Sequence, residues 1–327
     1  MQEEYRQFLL YMKPGEWIAL ALVFGGSAAL WCAEFVLLWR SVRARLLRTS
    51  LPAKTRSLRL AVHLLAAAYL ACFLYARLVE PDRLVLKRLT LSSEKIPAGV
   101  VLRIAHVTDL HAMGSRAHFL ARVGEAVARL EPDLICLTGD YLCGYRDGEP
   151  AALLAFLLRL PDDVPVFAVT GNYGGVYLPD AFLDQLGAET LHTERRLLTI
   201  KGVPLELLGA SPTREMSTVS PRLHPERYGI FLEHFPAIMP VAAHAGWDLF
   251  LAGHTHGGQV RLPLYGALLT LDRAGKTFER GGYRLGDTVG HVSAGVGLEC
   301  RGMPLVRFLC PPEIALLQVR GAAHSSK

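Results

Sequence analysis

Four short polar motifs carry the chemistry available to this sequence. In chain order they are Thr108-Asp109-Leu110-His111, Gly139-Asp140, Gly171-Asn172 and Gly253-His254-Thr255-His256, with His234 standing ahead of the last. Carboxylate, imidazole and amide oxygen together suit Mn2+, Fe or Zn2+ better than Ca2+. Two divalent ions roughly 3.5–4 Å apart need one bridging carboxylate and several terminal ligands. Asp109 and His111 are two positions apart, a spacing that can aim both at one ion from the end of a strand. Taken singly the motifs are weak, because Gly-Asp and Gly-Asn are usually turns and Gly-His-x-His can be a surface loop. Their force lies in the ordered set, since each follows a strand-like run.

Those runs are short and apolar. Residues 100–107, 133–138, 164–170, 229–232, 247–252 and 314–319 read as strands, and 197–200 with 205–208 as a hairpin or edge pair. Residues 116–130, 179–186 and a segment near 236–244 have helical character. Strands alternate with helices and then give way to a β-rich C-terminal part, the pattern of a layered α/β sheet sandwich flanked by helices. In such folds the loops beyond strand C-termini build the ligand site, and the glycines let the chain turn sharply beside it.

The first 83 residues are different. Residues 17–39 form an almost continuous apolar run with tryptophans at both ends, long enough to span about 30 Å as a helix. Glu34 is the one charge inside it, and snorkelling or pairing with a second helix is the expectation. Residues 60–76 are a second, shorter apolar run bracketed by Arg59 and Arg77. Basic residues divide seven against seven between the connecting loop and the opposite side, so charge count gives no orientation. A hairpin puts the N-terminus and the α/β part on the same side.

Composition agrees with a membrane attachment: 51% of residues are hydrophobic and the mean hydropathy is +0.26. The net charge of +5 suits anionic lipid or phosphate, and no nucleic-acid-reading motif accompanies it. None of the six cysteines forms a Cys-x-x-Cys pair, so reduced, structural cysteines are expected, which leans toward a cytosolic catalytic domain. His192, His224, His244 and His291 read as ordinary histidines.

The ordered motifs resemble those of the calcineurin-like metallophosphoesterase superfamily, over residues of about 84–320. The resemblance implies an α/β, four-layer metallophosphoesterase β-sandwich flanked by helices, here behind an N-terminal transmembrane helical hairpin. It implies an anchor over 1–83, a metallophosphoesterase domain over 84–320 and a tail over 321–327. It implies two divalent metal ions, manganese first with Fe or Zn2+ as alternatives. Asp109, His111, Asp140 and His256 would hold one ion. Asp140, Asn172, His234 and His254 would hold the other, with Asp140 as the bridge. Asp140 and Asn172 thereby also count as catalytic. The superfamily usually has histidine after the third-motif asparagine, where it helps protonate the leaving group or orient phosphate. Here Tyr173 stands in that place and is counted with Asp140 and Asn172 as catalytic: it can donate a hydrogen bond in the histidine's stead but is a poor acid at neutral pH, so a good leaving group such as a nucleoside monophosphate would need less help.

The stretches GHTHGGQVRLP (253–263) and MPLVRFLCPPEI (303–314) resemble a membrane-associated branch. That branch includes bacterial membrane phosphodiesterases and the chlamydial type of UDP-2,3-diacylglucosamine pyrophosphatase. The implied function is cleavage of that lipid-linked nucleotide sugar to UMP and 2,3-diacylglucosamine 1-phosphate, a step of lipid A biosynthesis. The implied setting is the inner membrane with the catalytic domain on the cytoplasmic face, and the lipid bilayer as partner. The alternatives are a broad membrane phosphodiesterase acting on other lipid or envelope phosphoesters, and a non-catalytic metal-binding scaffold. Arg261, Arg301 and Arg307 are candidates to contact phosphate or uracil, with a surface or structural role as the leading alternative for any one of them, and the run 262–269 is either an apolar wall for acyl chains or a core strand.

Overall fold

Strand parity decides where the core sits. In the computed structural model Leu102 and Ile104 of one strand point to one side while Ala105 and Val107 point to the other, and all four are fully buried. A strand covered on both faces reads as a continuous apolar run, which is why these strands show no polar alternation. The structure describes residues 12–49, 52, 56–144, 148–172, 180–210, 221–299 and 304–322. It divides into two compact units, Met1–Val79 and Glu80–Lys327.

The second unit holds two six-stranded sheets. One has the order β1 (Val85–Ser93), β14 (Glu313–Gly321), β2 (Val101–Val107), β3 (Leu134–Thr138), β4 (Val166–Val169) and β5 (Ala188–Thr190). The other runs β12 (Gly281–Leu285), β13 (Thr288–Val292), β9 (Leu249–Ala252), β8 (Tyr228–Leu232), β7 (Val203–Ala210) and β6 (Thr193–Ile200). A core of Leu102, Ile104, Leu134, Cys136, Leu205, Ile230 and Leu249, among others, lies between them.

The outer face of the first sheet carries α3 (Ala117–Ala128) and α4 (Glu149–Leu157), and that of the second carries α6 (Met239–His244). Buried Phe119, Leu120, Val123 and Val127 make one stripe of α3, the spacing of an amphipathic helix. The α/β sandwich expected from the sequence is therefore present, with helices on both outer faces. Sequence pattern does not mark β1, α4, β12 or β13. Helix α4 is apolar on nearly every side, so no stripe announces it. Residues 179–186 correspond to a short helix, α5 (Asp180–Asp184). The run 262–269 is not a core strand: it opens with the two-residue pair β10 (Arg261–Leu262) and β11 (Gly266–Ala267), and only 267–269 are buried.

The first unit contains α1 (Pro14–Leu46) and α2 (Arg56–Leu78), both longer than the apolar runs that announce them. At 1.5 Å per residue, 23 residues give α2 about 35 Å, so it is not short for a bilayer. Their large apolar side chains, such as Leu22, Phe35, Leu64 and Phe73, are exposed. The helices touch through Glu34 and His63, whose Nδ1 lies 2.7 Å from the carboxylate, and through Trp31 packed edge-on against Tyr69. Position 34 faces 63 and 31 faces 69, so the two helices run antiparallel. The expected inter-helix partner for Glu34 is thus His63.

Arg307 does not face the pocket. It is fully buried, and its guanidinium donates to the carbonyls of Ala294, Gly295, Gly297 and Cys310 at 2.6–3.1 Å. It is therefore a backbone clamp rather than a phosphate contact. Arg261 pairs with Glu279 at 2.8 Å, and Arg301 lies outside the described residues. Arg307→Met should strand the buried carbonyls of Ala294, Gly297 and Cys310, each worth about 1 kcal/mol or more, while Gly295 O keeps the Glu313 amide. Urea unfolding of the detergent-solubilised chain should show a loss of at least about 3 kcal/mol. An unchanged midpoint would remove the clamp role.

Candidate metal centre

Five strand ends open at one place. Strand β2 delivers Asp109 and His111, β3 delivers Asp140, and β4 delivers Asn172. From the other sheet β8 delivers His234, and β9 delivers His254 and His256. The loops are sewn together by backbone hydrogen bonds: Asp109 N–H donates to Gly139 O (3.0 Å), His111 N–H to Asp140 O (3.0 Å) and Gly253 N–H to His234 O (3.1 Å). The backbone amide of His254 donates to the Asp109 carboxylate (3.0 Å). Space is tight enough that a Cβ at Gly171 would collide with the Asp140 carboxylate, and one at Gly253 with Thr108 and Asp109.

Two side-chain groups result. The ligand atoms of Asp109, His111 and His256 lie within 4.8 Å of one another, and so do those of Asp140, His234 and His254. Asp140 joins them, with Oδ2 3.6 Å from His111 Nε2 and 3.2 Å from His234 Nε2. Asn172 Oδ1 lies 2.9 Å from both His234 Nε2 and His254 Nδ1. All seven residues named from the sequence for metal are thus brought to one pocket. Tyr173, the proposed substitute for the usual acid, lies outside the described residues.

The donor chemistry fits cations. His234 donates its Nδ1–H to Thr138 O (2.7 Å), and His254 donates Nε2–H to Leu271 O (3.2 Å). In the neutral rings the remaining nitrogen of each carries a lone pair, and both lone pairs face the same amide oxygen. In the other group His256 Nε2 faces His111 Nε2 at 3.0 Å. Among the described residues His256 Nδ1 is buried without a hydrogen-bond partner. Acceptors crowded against acceptors are repulsive unless a cation or a proton lies among them.

Backbone strain marks the same residues. Asp109 (φ 50°), His111 (37°), Asp140 (53°), His254 (68°) and His256 (50°) all occupy the left-handed region. Each costs an ordinary residue of order 1 kcal/mol, and such strain concentrates where function needs it. By the protein's own charges, burial pushes the Asp109 carboxyl up to about 7, with His234 pulling it down and Asp140 adding to the rise. Burial opposes charge on His234, but the Asp140 and Asp109 carboxylates outweigh it and hold the ring at about 10.

A supporting layer was not legible as function in the sequence. His106 Nδ1 meets His291 Nδ1 at 2.9 Å between the sheets, and His106 Nε2 meets Thr138 Oγ1 at 2.8 Å. The Thr138 carbonyl in turn accepts from His234 and from the Thr108 hydroxyl. Burial, then the neighbouring imidazole, depresses His106 well below the usual histidine range, so the pair is neutral. A polar residue inside the apolar run of β2 was the available signal. Sequence spacing also misses a disulfide: Cys143 is disulfide-bonded, against the expectation of reduced cysteines, while Cys32, Cys72, Cys136 and Cys310 are free. Pairing depends on spatial proximity, which cysteine spacing does not encode.

Paired donor groups at the strand ends of a two-sheet sandwich define a metal-dependent phosphoesterase, and comparison with known proteins agrees. The sequence profile of the calcineurin-like phosphoesterases matches residues 102–258, and the chain belongs to that family. It is a hydrolase of phosphoester bonds. An uncharacterized metallophosphoesterase of Aquifex aeolicus is 30% identical, with 75% of this chain and 95% of that protein aligned. The phosphodiesterase YaeI of Escherichia coli is 28% identical, over 66% of this chain and 82% of its own. The UDP-2,3-diacylglucosamine pyrophosphatase LpxG of Chlamydia trachomatis is 24% identical, over 77% and 94%.

Cation binding must expel the protons that Asp109 and His234 hold. Both groups titrate above their ordinary values, so protons are harder to displace as pH falls. Affinity for Mn2+ should therefore rise at least about tenfold from pH 6 to pH 8, with proton release visible in calorimetry across buffers of different ionisation enthalpy. Flat affinity without proton release would contradict this. Asp140→Ala, which removes the carboxylate shared by both groups, should abolish binding of both ions and phosphoesterase turnover together.

Proposed function

We propose that this chain is a membrane-anchored, dinuclear phosphohydrolase that cleaves the pyrophosphate of UDP-2,3-diacylglucosamine, releasing UMP and 2,3-diacylglucosamine 1-phosphate. The position of Asp140 between two groups of nitrogen and oxygen donors carries the phosphohydrolase part. Asp109, His111, Asp140 and His256 would hold one divalent ion, and Asp140, Asn172, His234 and His254 the other, with Mn2+ favoured by the mixed donor set. Bound there, two such ions supply Lewis acidity toward phosphoryl oxygens and an activated water. The chain's own contribution is orientation. Thr138 and Leu271 fix the tautomers of His234 and His254, and the His254 amide holds the Asp109 carboxylate.

The substrate is supported by the alignment with the chlamydial pyrophosphatase, which runs through 94% of that protein's length. It is supported also by Tyr173 in place of a histidine: UMP leaves as a stabilised anion and asks less of a general acid than an alkoxide does. The helices α1 and α2 are long and apolar enough to cross a bilayer, and such a tether raises the effective concentration of a lipid substrate.

A second reading has its own observation. The Cys143 disulfide favours an oxidising compartment, where nucleotide sugars are absent and a phosphodiesterase of lipid or envelope polymers would act. YaeI of E. coli, a phosphodiesterase by name, is a relative of comparable likeness. A reporter fused after Lys327 separates the two: a catalytic unit on the cytoplasmic face of the inner membrane is the expectation of the first reading, and an exterior reporter would reject it.

The decisive assay uses the full chain in vesicles with Mn2+ and UDP-2,3-diacylglucosamine, and mass spectrometry of the products. UMP together with the lipid 1-phosphate is the expected result. Cleavage of an aryl phosphodiester without any UMP would overturn the substrate and leave the phosphodiesterase.

A further inference from the structure

The loop that carries His254 and His256 continues directly into an exposed apolar hairpin. Between β10 and β11 the turn reads Pro263-Leu264-Tyr265, and all three residues are exposed. Leu264 reaches 110% relative exposure at φ 63°, a left-handed backbone that leucine adopts only under constraint. Single exposed leucines need no explanation, but this turn is held out from the surface by design of its base. Lys276 Nζ donates to Tyr265 O (2.8 Å) and Ala267 O (2.7 Å) and stands 3.8 Å over the Tyr265 ring. The Glu279 carboxylate accepts from Ala267 N–H (3.1 Å) and pairs with Arg261 (2.8 Å) and Lys276 (2.9 Å). The tip therefore cannot fold back to hide its apolar side chains without breaking these bonds.

The hairpin's location adds a second, independent fact. Its base is paired with the loop before β14: Arg261 N–H donates to Phe308 O (2.9 Å) and Phe308 N–H to Gln259 O (3.0 Å). The next two residues, Leu309 and Cys310, donate their amides to the Glu80 carboxylate at 3.0 and 2.5 Å. Leu309 is itself exposed (45%) at φ 53°. Glu80 is the residue at which this unit begins, two positions beyond the last residue of α2. Leu264 lies four positions beyond Val260, at most about 14 Å of chain. The apolar tip, Leu309 and Glu80 thus belong to one corner of this unit. Arg261 and Lys276 stand at the base of the tip with Glu279 between them, and the Arg280 guanidinium lies 3.5 Å from Cys310 Sγ.

We propose that this hairpin tip, together with Leu309, seats the catalytic unit on an anionic phospholipid bilayer. The inference rests on the membrane-anchored reading above. Leucine and tyrosine side chains enter the boundary between headgroups and acyl chains, and Arg261, Lys276 and Arg280, which outnumber the one carboxylate of Glu279 there, meet lipid phosphate. A second copy of the chain is a poorer occupant, because a three-residue tip is far smaller than the ~1,200 Å² of a stable protein interface. Seating has a consequence for chemistry. Only Gly257, Gly258 and Gln259 lie between His256 and the residue that bridges to Phe308, so docking the tip brings the donor pocket to headgroup level, where a lipid-linked phosphoester presents its phosphorus.

The test uses the full chain reconstituted in phosphatidylglycerol–phosphatidylethanolamine vesicles containing a phospholipid with a diazirine in its acyl chain. After photolysis and trypsin, the peptide LPLYGALLTLDR, residues 262–273, should carry lipid adducts. In the double variant Leu264→Ser, Tyr265→Ser the yield should fall at least about fivefold, while adducts on 14–46 and 56–78 persist. Adducts confined to those helical segments, an unchanged yield in the variant, or a 262–273 crosslink to a second chain would each overturn the proposal. The same variant should lose about tenfold in kcat/KM on a vesicle-presented phosphodiester with soluble bis(4-nitrophenyl) phosphate unchanged. Equal effects on both substrates would overturn the seating role. Crosslinking needs no turnover, so an adduct without UMP release would count against the substrate alone, and UMP release without an adduct against the seating alone.

Discussion

Lone pairs forced together in a buried place govern this protein. Two carboxylates, four imidazoles and one amide oxygen converge where five strands end, and nearly all are acceptors toward the centre. Such an arrangement is unfavourable by itself: it demands desolvation, keeps like groups adjacent and holds five residues in left-handed backbone. The surrounding fold over-determines it. Continuous apolar strands bury both faces of each sheet, the loops exchange backbone hydrogen bonds across the pocket, and Arg307 ties the carbonyls of 294–297 together. That segment in turn donates amides to the carbonyls of Thr108 and Asp109. A cation turns the repulsion into coordination, so the same residues that cost stability define binding.

How much of this could be read from residues alone follows from what each signal encodes. The ligands were legible because each sits just past an apolar run, and strand ends are where α/β folds place chemistry. Their φ values were not, since nothing in Asp-x-His distinguishes a left-handed residue from a relaxed one. Helix α4 escaped because Ala151, Leu154 and Ala155 on its less buried side are as apolar as its buried stripe of Ala152, Leu153, Phe156 and Leu157, so no polar face sets that stripe off. Strands β12 and β13 escaped for a related reason: Gly281, Gly282 and Gly290 dilute their β character. Arg307 stood in the sequence as either a phosphate contact or a structural residue, and the structure gives it the structural role. A guanidinium satisfies carbonyls as readily as phosphate, and only burial tells them apart.

The N-terminal unit shows the same limit. Tryptophans and arginines bracket the apolar runs and announce the helices, but not their full lengths, since α1 continues through Arg40, Arg43 and Arg45. Glu34 was an anomaly in the sequence and is half of a pair in the structure. A carboxylate and an imidazole facing each other between two antiparallel apolar helices fix register, the best-attested use of a polar pair in an apolar setting.

Two observations pull the substrate in opposite directions, and chemistry ranks them. A disulfide at Cys143 speaks for an oxidising side of the membrane. Tyr173 speaks for a leaving group that needs no strong acid, as in a pyrophosphate whose departing half is a nucleotide. The first concerns where the protein resides, and its force depends on the compartment keeping that bond. The second concerns the barrier of the reaction itself and holds in any compartment. On the proposed reading, a donor pocket joined to an acid-poor third motif should discriminate by leaving group, favouring pyrophosphates and activated diesters over unactivated alkyl diesters. On that reading the membrane side would select, among lipids that satisfy this requirement, which one the enzyme meets.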